Sequence, residues 1–242
     1  MISTLTRKLH DFNVKLTPAE QANFKLLLGL AAGGLAPEFE KPGNAANAQA
    51  FDAVVDTLAH LQPFSDRIPP NGVVYRGRPP FISDSTLLEL QVEARHLRPS
   101  ADPFDEHFLG YGGELADAMS TSHELVSFVA DRAGAVRPTG IASFLFYDEP
   151  GQGIEPHIDT DVFAFNVLLM LDHRGGGPAG SALVMFPPFS EPERFQLAPG
   201  EMVMFFAGSV AHGREPVGQD EAVSILTFGF QPIESSASER WR

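Results

Sequence analysis

Between Gly140 and Phe230 the chain carries six short apolar runs in series: GIASFLFY, VFAFNVLLML, SALVMF, ERFQL, EMVMFF and AVSILTFGF. They are rich in β-branched and aromatic residues, and loops bearing Gly or Pro separate them. Runs as continuously apolar as VFAFNVLLML fit a buried strand or a buried helix on period alone; length and the flanking Gly and Pro favour strands. Alternation is clear in SILTFGF, where Ser224, Leu226, Phe228 and Phe230 share one face. Many short strands with turn signals between them predict a sandwich or jelly roll.

The first half reads differently. Thr17-Pro18-Ala19-Glu20 is a helix start, with Thr as N-cap, Pro at the first helical position and Glu placed to complete a capping box. Phe24, Leu27, Leu28 and Ala31 follow at helical spacing, and Gly33-Gly34 is read as the stop. Further helices are predicted from Ala45 to Leu61, Asp84 to His96, Gly113 to Met119 and Thr121 to Ala133, the last opened by a Thr121–Glu124 capping box. GVVYRG is a short strand ended by Pro79-Pro80. The expectation is one α+β domain over 1–242, mainly helical over 1–135, with the sheet core over 136–235.

Composition limits what such a domain does. A net charge of −14 repels nucleic-acid phosphates, so no nucleic-acid partner is expected. No cysteine is present, which excludes disulfides, thiolate metal sites and Cys nucleophiles and leaves His and carboxylates as metal ligands. The N-terminus lacks the apolar core of a signal peptide and no run is long enough to span a bilayer, so no membrane partner and a cytoplasmic location are expected.

The chemistry concentrates in YDEPGQGIEPHIDTD, Tyr147 to Asp161. His157 and Asp159 are two apart, so on a strand an imidazole and a carboxylate project from one face. His212, 55 residues beyond His157 in FFAGSVAHGREPV, is the third candidate ligand. Two His and one carboxylate on one side of a metal, with open positions opposite, form the facial triad of non-haem Fe(II) oxygenases. A closed zinc site would need a fourth protein ligand. GGGPAG lacks the Lys-Ser/Thr of a P-loop, and Ser209 has no acidic partner in a nucleophile-elbow setting.

From about Gly140 to Pro232 the chain resembles the Fe(II)/2-oxoglutarate-dependent dioxygenases, through YDEPGQGIEPHID, GGGPAGSALVMF, LAPGEMVMFFAGSVAH and SILTFGF. The resemblance implies a double-stranded β-helix (a jelly roll) with Fe(II) on His157, Asp159 and His212. It also implies 2-oxoglutarate and O2 as cosubstrates, and hydroxylation or a related C–H oxidation of a small molecule, such as an amino acid or natural-product intermediate. A carboxylate at Asp159 disfavours the family's halogenase variant. Tyr147 matches a position that hydrogen-bonds the cosubstrate, and Asn166 is placed to contact its carboxylate. Either could also be an ordinary buried polar group. Many members carry an R-x-S pattern about ten residues after the distal His, whose Arg holds the far carboxylate of 2-oxoglutarate; aligned on Ser224, that position is Ala222. Arg214 is the first substitute, with a rim salt bridge to Glu215 as its other reading; Arg174 and Arg137 follow. Asp161 is expected at the rim, His173 exposed, and His10, His60, His96, His107 and His123 on the surface. Three alternatives stay open: an iron oxidase of the same fold that does not use 2-oxoglutarate, a cupin, and a binding module with a vestigial triad.

Overall fold

Strands that alternate between two facing sheets form a closed core from short pieces, and the second half of this chain does so. The computed structural model describes residues 4–61, 65–159, 161–188 and 190–233. Its core strands are β4 (Val136–Tyr147), β5 (Ile154–His157), β6 (Phe165–Arg174), β7 (Leu183–Phe186), β8 (Glu193–Phe195), β9 (Met202–Phe205), β10 (Ala211–Arg214) and β11 (Ala222–Pro232). Three earlier strands, β1 (Val73–Gly77), β2 (Asp102–Phe104) and β3 (His107–Gly110), extend the larger sheet. The orders are β1-β9-β6-β11-β4-β3-β2 and β5-β10-β7-β8, antiparallel throughout. Apart from the β7–β8 hairpin, successive core strands switch sheets, which is the double-stranded β-helix.

Helices cover both outer faces. α4 (Asp84–Leu97), α5 (Glu114–Ser120) and α6 (His123–Ala133) bury Leu90, Ala116 and Leu125 against Phe144, Phe165, Leu226 and Phe228 of the larger sheet. On the smaller sheet, α2 (Pro18–Leu35) and α3 (Ala45–His60) pack Leu28, Phe51 and Leu58 against Val184, Phe186 and Ala211, and α1 (Thr4–Asn13) rests on α3. Between the sheets lies a third core, with Met170, Met185, Val203, Phe205 and Ile225. Both faces of β6, β9 and β11 are therefore buried, which accounts for their unbroken apolar sequence. No helix of the described residues is long and apolar enough to cross a membrane.

Two helix readings need correction, and two elements went unpredicted. The predicted capping box at Thr17–Glu20 is present, but Gly33-Gly34 does not stop the helix: α2 continues to Leu35 and ends on Ala36. Those glycines have a packing role instead. A Cβ on Gly33 would stand 2.7 Å from the Pro156 carbonyl oxygen, and one on Gly29 3.0 Å from Ile158 Cγ1. At Gly33 the helix backbone thus approaches β5 more closely than a side chain permits, and at Gly29 it lies tight against Ile158 just beyond the strand. The α6 cap falls one residue later than expected and the helix begins at His123, because the Ser122 side chain, not that of Thr121, accepts from the Leu125 N–H. Lastly, α1 and the β2–β3 hairpin have no counterpart among the elements expected from sequence.

The two adjacent glycines are expected to respond oppositely to one methyl group. Gly33→Ala destabilises the fold by about 1–3 kcal/mol through overpacking against β5. Gly34→Ala, with nothing within 4 Å of its added Cβ, stabilises by about 0.5–1 kcal/mol through helix propensity. Urea denaturation of the two variants checks both signs.

Candidate metal centre

β10 lies between β5 and β7, and its antiparallel register with β5 sets His212 directly opposite His157. Asp159 follows β5 at once, held by its N–H donating to the Ala207 carbonyl at 2.9 Å. One ligand atom from each of His157, Asp159 and His212 lies within 4.8 Å of the others. Asp159 Oδ1 is 3.5 Å from His157 Nε2 and 3.7 Å from His212 Nε2.

The surrounding bonds leave these atoms free to ligate. His157 Nδ1 lies 2.7 Å from the Glu155 carbonyl oxygen and His212 Nδ1 3.1 Å from that of Val210. A carbonyl only accepts, so each Nδ1 carries the proton and each Nε2 presents its lone pair. Asn166 Nδ2 donates to Asp159 Oδ2 at 2.7 Å, which leaves Oδ1 on the histidine side. Burial, with His157 alongside, pushes His212 down to about 4. Burial also opposes the charge on Asp159, yet the two imidazoles and the Asn166 amide together hold its carboxyl below the usual range. For His157 burial is outweighed by Asp159, and its proton affinity rises. A cation binding here would take the place of that proton.

The triad opens into a cavity of about 1060 Å³ between the sheets. Ser143, Leu145, Tyr147, Leu168, Ile225 and Thr227 line it from the larger sheet, and Leu183, His212 and Arg214 from the smaller one. Arg214 is 2 % exposed, and it is the one Lys or Arg among the described residues lining the cavity. Its Nη2 donates to Ser181 Oγ at 2.8 Å, and its Cζ lies 5.4 Å from the Tyr147 ring centroid. Its Nε is buried with no partner. Burial lowers the proton affinity of Arg214, against the opposing fields of Tyr147, Glu221 and Glu215. Burial likewise raises that of the Tyr147 hydroxyl.

Behind Arg214, Ser181 Oγ donates to Glu221 Oε1 at 2.7 Å. The same carboxylate accepts from the Ser181 and Gly218 N–H groups, both at 2.8 Å, and lies 2.7 Å from His173 Nε2. Burial alone would raise the Glu221 pKa; these donors bring it to about 2. The guanidinium is thus aimed by a serine that is itself clamped by a fixed carboxylate.

Several sequence expectations change. Arg214 is not at a rim and does not pair with Glu215, whose carboxylate goes to Arg194 and the Ala182 N–H. Arg174 is an exposed partner of Asp172, and Arg137 bonds Gln231; neither lines the cavity. Ala222 shares its face with Ser224 and Leu226, and Leu226 packs towards the helices. The inward residue is Val223, paired with Tyr147. Aligning the R-x-S pattern on Ser224 therefore selects the wrong face. His173, expected to be exposed, is mostly buried on Glu221. His107, expected on the surface, is 4 % exposed on β3, lines the cavity and stacks on Tyr147 with ring centroids 5.2 Å apart. The side chain of Asp161 lies outside the described residues.

Two measurements probe this arrangement. Asn166→Ala is expected to weaken Co(II) binding about 10–100-fold by freeing the Asp159 carboxylate, read by metal titration. Glu221→Gln removes a carboxylate whose folded-state pKa lies below its ordinary 4.5. The stabilisation it provides, on the order of 2 kcal/mol, is present in full above about 4.5 and disappears as pH falls towards about 2. Denaturation of both proteins across that range should show their stabilities converging at the acid end.

No family model matches the sequence, and no curated protein matches it. Solved structures do. The non-heme alpha ketoglutarate dependent epimerase SnoN from nogalamycin biosynthesis superposes with a TM-score of 0.56 at 15% identity, covering 74% of this chain and 83% of its own. An oxidoreductase of the 2OG-Fe(II) oxygenase family from Burkholderia pseudomallei gives 0.56 at 14% identity, over 73% and 89% of the two chains. A Pseudomonas putida prolyl-4-hydroxylase gives 0.52 at 20% identity, over 76% and 99%. The chain therefore has the double-stranded β-helix fold of the 2-oxoglutarate-dependent oxygenases.

Proposed function

We propose that this chain is an Fe(II)/2-oxoglutarate-dependent oxygenase that oxidises a C–H bond of a small molecule, with hydroxylation as the default outcome. The observation that carries the reading is Arg214, a guanidinium buried in the triad's cavity with its Nε unpartnered. Burying a cation is costly unless something pairs with it, and Ser181 is a neutral partner. A carboxylate entering from the cavity would complete the set. Arg214 is two residues from His212 on the same strand, about 6–7 Å along an extended chain. That is the scale of a short dicarboxylate with one end at the metal. The likeness in fold adds to this, since SnoN was solved with Fe3+, alpha ketoglutarate and nogalamycin RO, and HygX from Streptomyces hygroscopicus with nickel and 2-oxoglutarate.

The donor set fits iron. His157 and His212 would offer neutral Nε2 atoms and Asp159 its Oδ1, a borderline-to-hard trio that leaves positions for exogenous ligands. Bound iron and 2-oxoglutarate would use O2 to supply the oxidant that takes hydrogen from the substrate, with succinate and carbon dioxide as the cosubstrate's products. The protein's own tasks are positional. Asn166 fixes the Asp159 carboxylate, the Glu155 and Val210 carbonyls fix the imidazole tautomers, and Arg214 with Tyr147 would orient the far end of 2-oxoglutarate. Leu145, Leu168, Leu183 and Ile225 keep the walls between them apolar, which strengthens those polar contacts and excludes water.

An anaerobic titration of Fe(II)-loaded protein with 2-oxoglutarate tests the reading through the visible metal-to-ligand charge-transfer band. A saturable band is expected. In Arg214→Met the 2-oxoglutarate needed for half-saturation rises at least about thirtyfold, while Fe(II) still binds. An unchanged titration in that variant removes Arg214 as the anchor. If the unaltered protein shows neither the band nor substrate-free turnover to succinate, the 2-oxoglutarate reading fails.

A further inference from the structure

The outer part of the cavity has a chemistry of its own, distinct from the metal end. α2 contributes Leu26 and Leu30, 51 % and 73 % exposed, and the stretch around the β2–β3 hairpin contributes Phe104 and Tyr111, each 53 % exposed. Large apolar side chains grouped at a mouth mark a binding surface. Carboxylates stand among them: Asp105 and Glu106 in the hairpin turn and Glu155 on β5 all line the same cavity. No Lys or Arg of the described residues lines this outer part.

His107 gives a second, independent sign of a ligand. It is buried on the cavity wall beneath the hairpin, and its Nδ1 has no hydrogen-bond partner. Native proteins rarely leave a buried polar atom unsatisfied, and one at a cavity wall is explained by a group that arrives from the cavity. Its imidazole, pushed down to about 4 mainly by burial, stays neutral near pH 7, so it would add no positive charge to repel a cation.

We propose that the substrate is an organic amine, with an apolar body seated against Leu26, Leu30, Phe104 and Tyr111 and a protonated nitrogen held by Asp105 and its neighbouring carboxylates. The inference rests on the oxygenase reading for what happens to the molecule, but not for whether it binds. Asp105 is taken as the specificity residue because it lies in the β2–β3 turn two residues before His107, on the same cavity wall as that residue's unpartnered Nδ1. Asp105 and the triad line one cavity.

Calorimetry with three probes of one shape and three charges tests this: 4-phenylbutylamine, 4-phenyl-1-butanol and 4-phenylbutyrate. Each is titrated into the full chain, both metal-free and loaded with Mn(II) and 2-oxoglutarate. The amine is expected to bind about fivefold tighter than the alcohol at low salt, and the acid more weakly than either. That preference should shrink as salt is added. Asp105→Asn should bring amine and alcohol within twofold of each other while the alcohol's affinity holds. Asn is nearly isosteric and tolerates the positive φ of 47° at this position, and the thermal midpoint of the variant reports its folding. Should Asn prove unfolded, Glu155→Gln is read in its place, with a smaller loss of preference expected. Equal binding of amine and alcohol by the unaltered protein, or a preference that survives Asp105→Asn, overturns the proposal. The metal-free titration keeps amine selectivity separate from the oxygenase reading, which the charge-transfer band decides.

Discussion

The antiparallel pairing of β5 with β10 is the constraint on which everything else rests. It places two imidazoles 55 residues apart in sequence opposite one another on neighbouring strands. A slip of one residue in either strand would turn one histidine into the apolar layer beneath α2 and α3. The carboxylate then needs only the short excursion past β5, and the cation only the next inward position on β10. The two imidazoles and the buried guanidinium are thus products of a single register, fixed by Ile154–His157 and Ala211–Arg214.

Given that register, the positions of the polar groups follow from the low dielectric around them. Around the cavity the buried carboxylates are answered by neighbours of limited freedom: Asp159 by the Asn166 amide, Glu221 by two backbone N–H groups, a hydroxyl and His173. Arg214, by contrast, has a hydroxyl and an aromatic ring but no carboxylate in direct contact.

Much of this was legible in the sequence because the strands are short, continuously apolar and separated by Gly or Pro. His157, Asp159 and His212 could be picked out because two ligands one residue apart are a local pattern, although Asp159 lies just past β5 and not on the strand as expected. What stayed hidden has physical reasons. β11 is apolar on both faces, one towards the helices and one towards the smaller sheet, so period-2 reasoning separates Ser224 from Val223 but does not say which looks inward. The β2–β3 hairpin consists of strands of three and four residues, too short for a pattern, and with it went His107. Gly33 and Gly34 read as a helix stop because backbone propensity is visible in sequence, whereas a close approach to another element is not.

That close approach has one more consequence. Leu26 and Leu30 stand at the mouth only because Gly29 and Gly33, three residues after each, let α2 lie directly on β5. The aperture of the cavity is therefore gauged by two hydrogen atoms where other helices carry side chains. Relatives built on the same strands but with alanine or serine at these positions would hold the helix farther off and admit bulkier guests, with no change to a single residue inside the pocket.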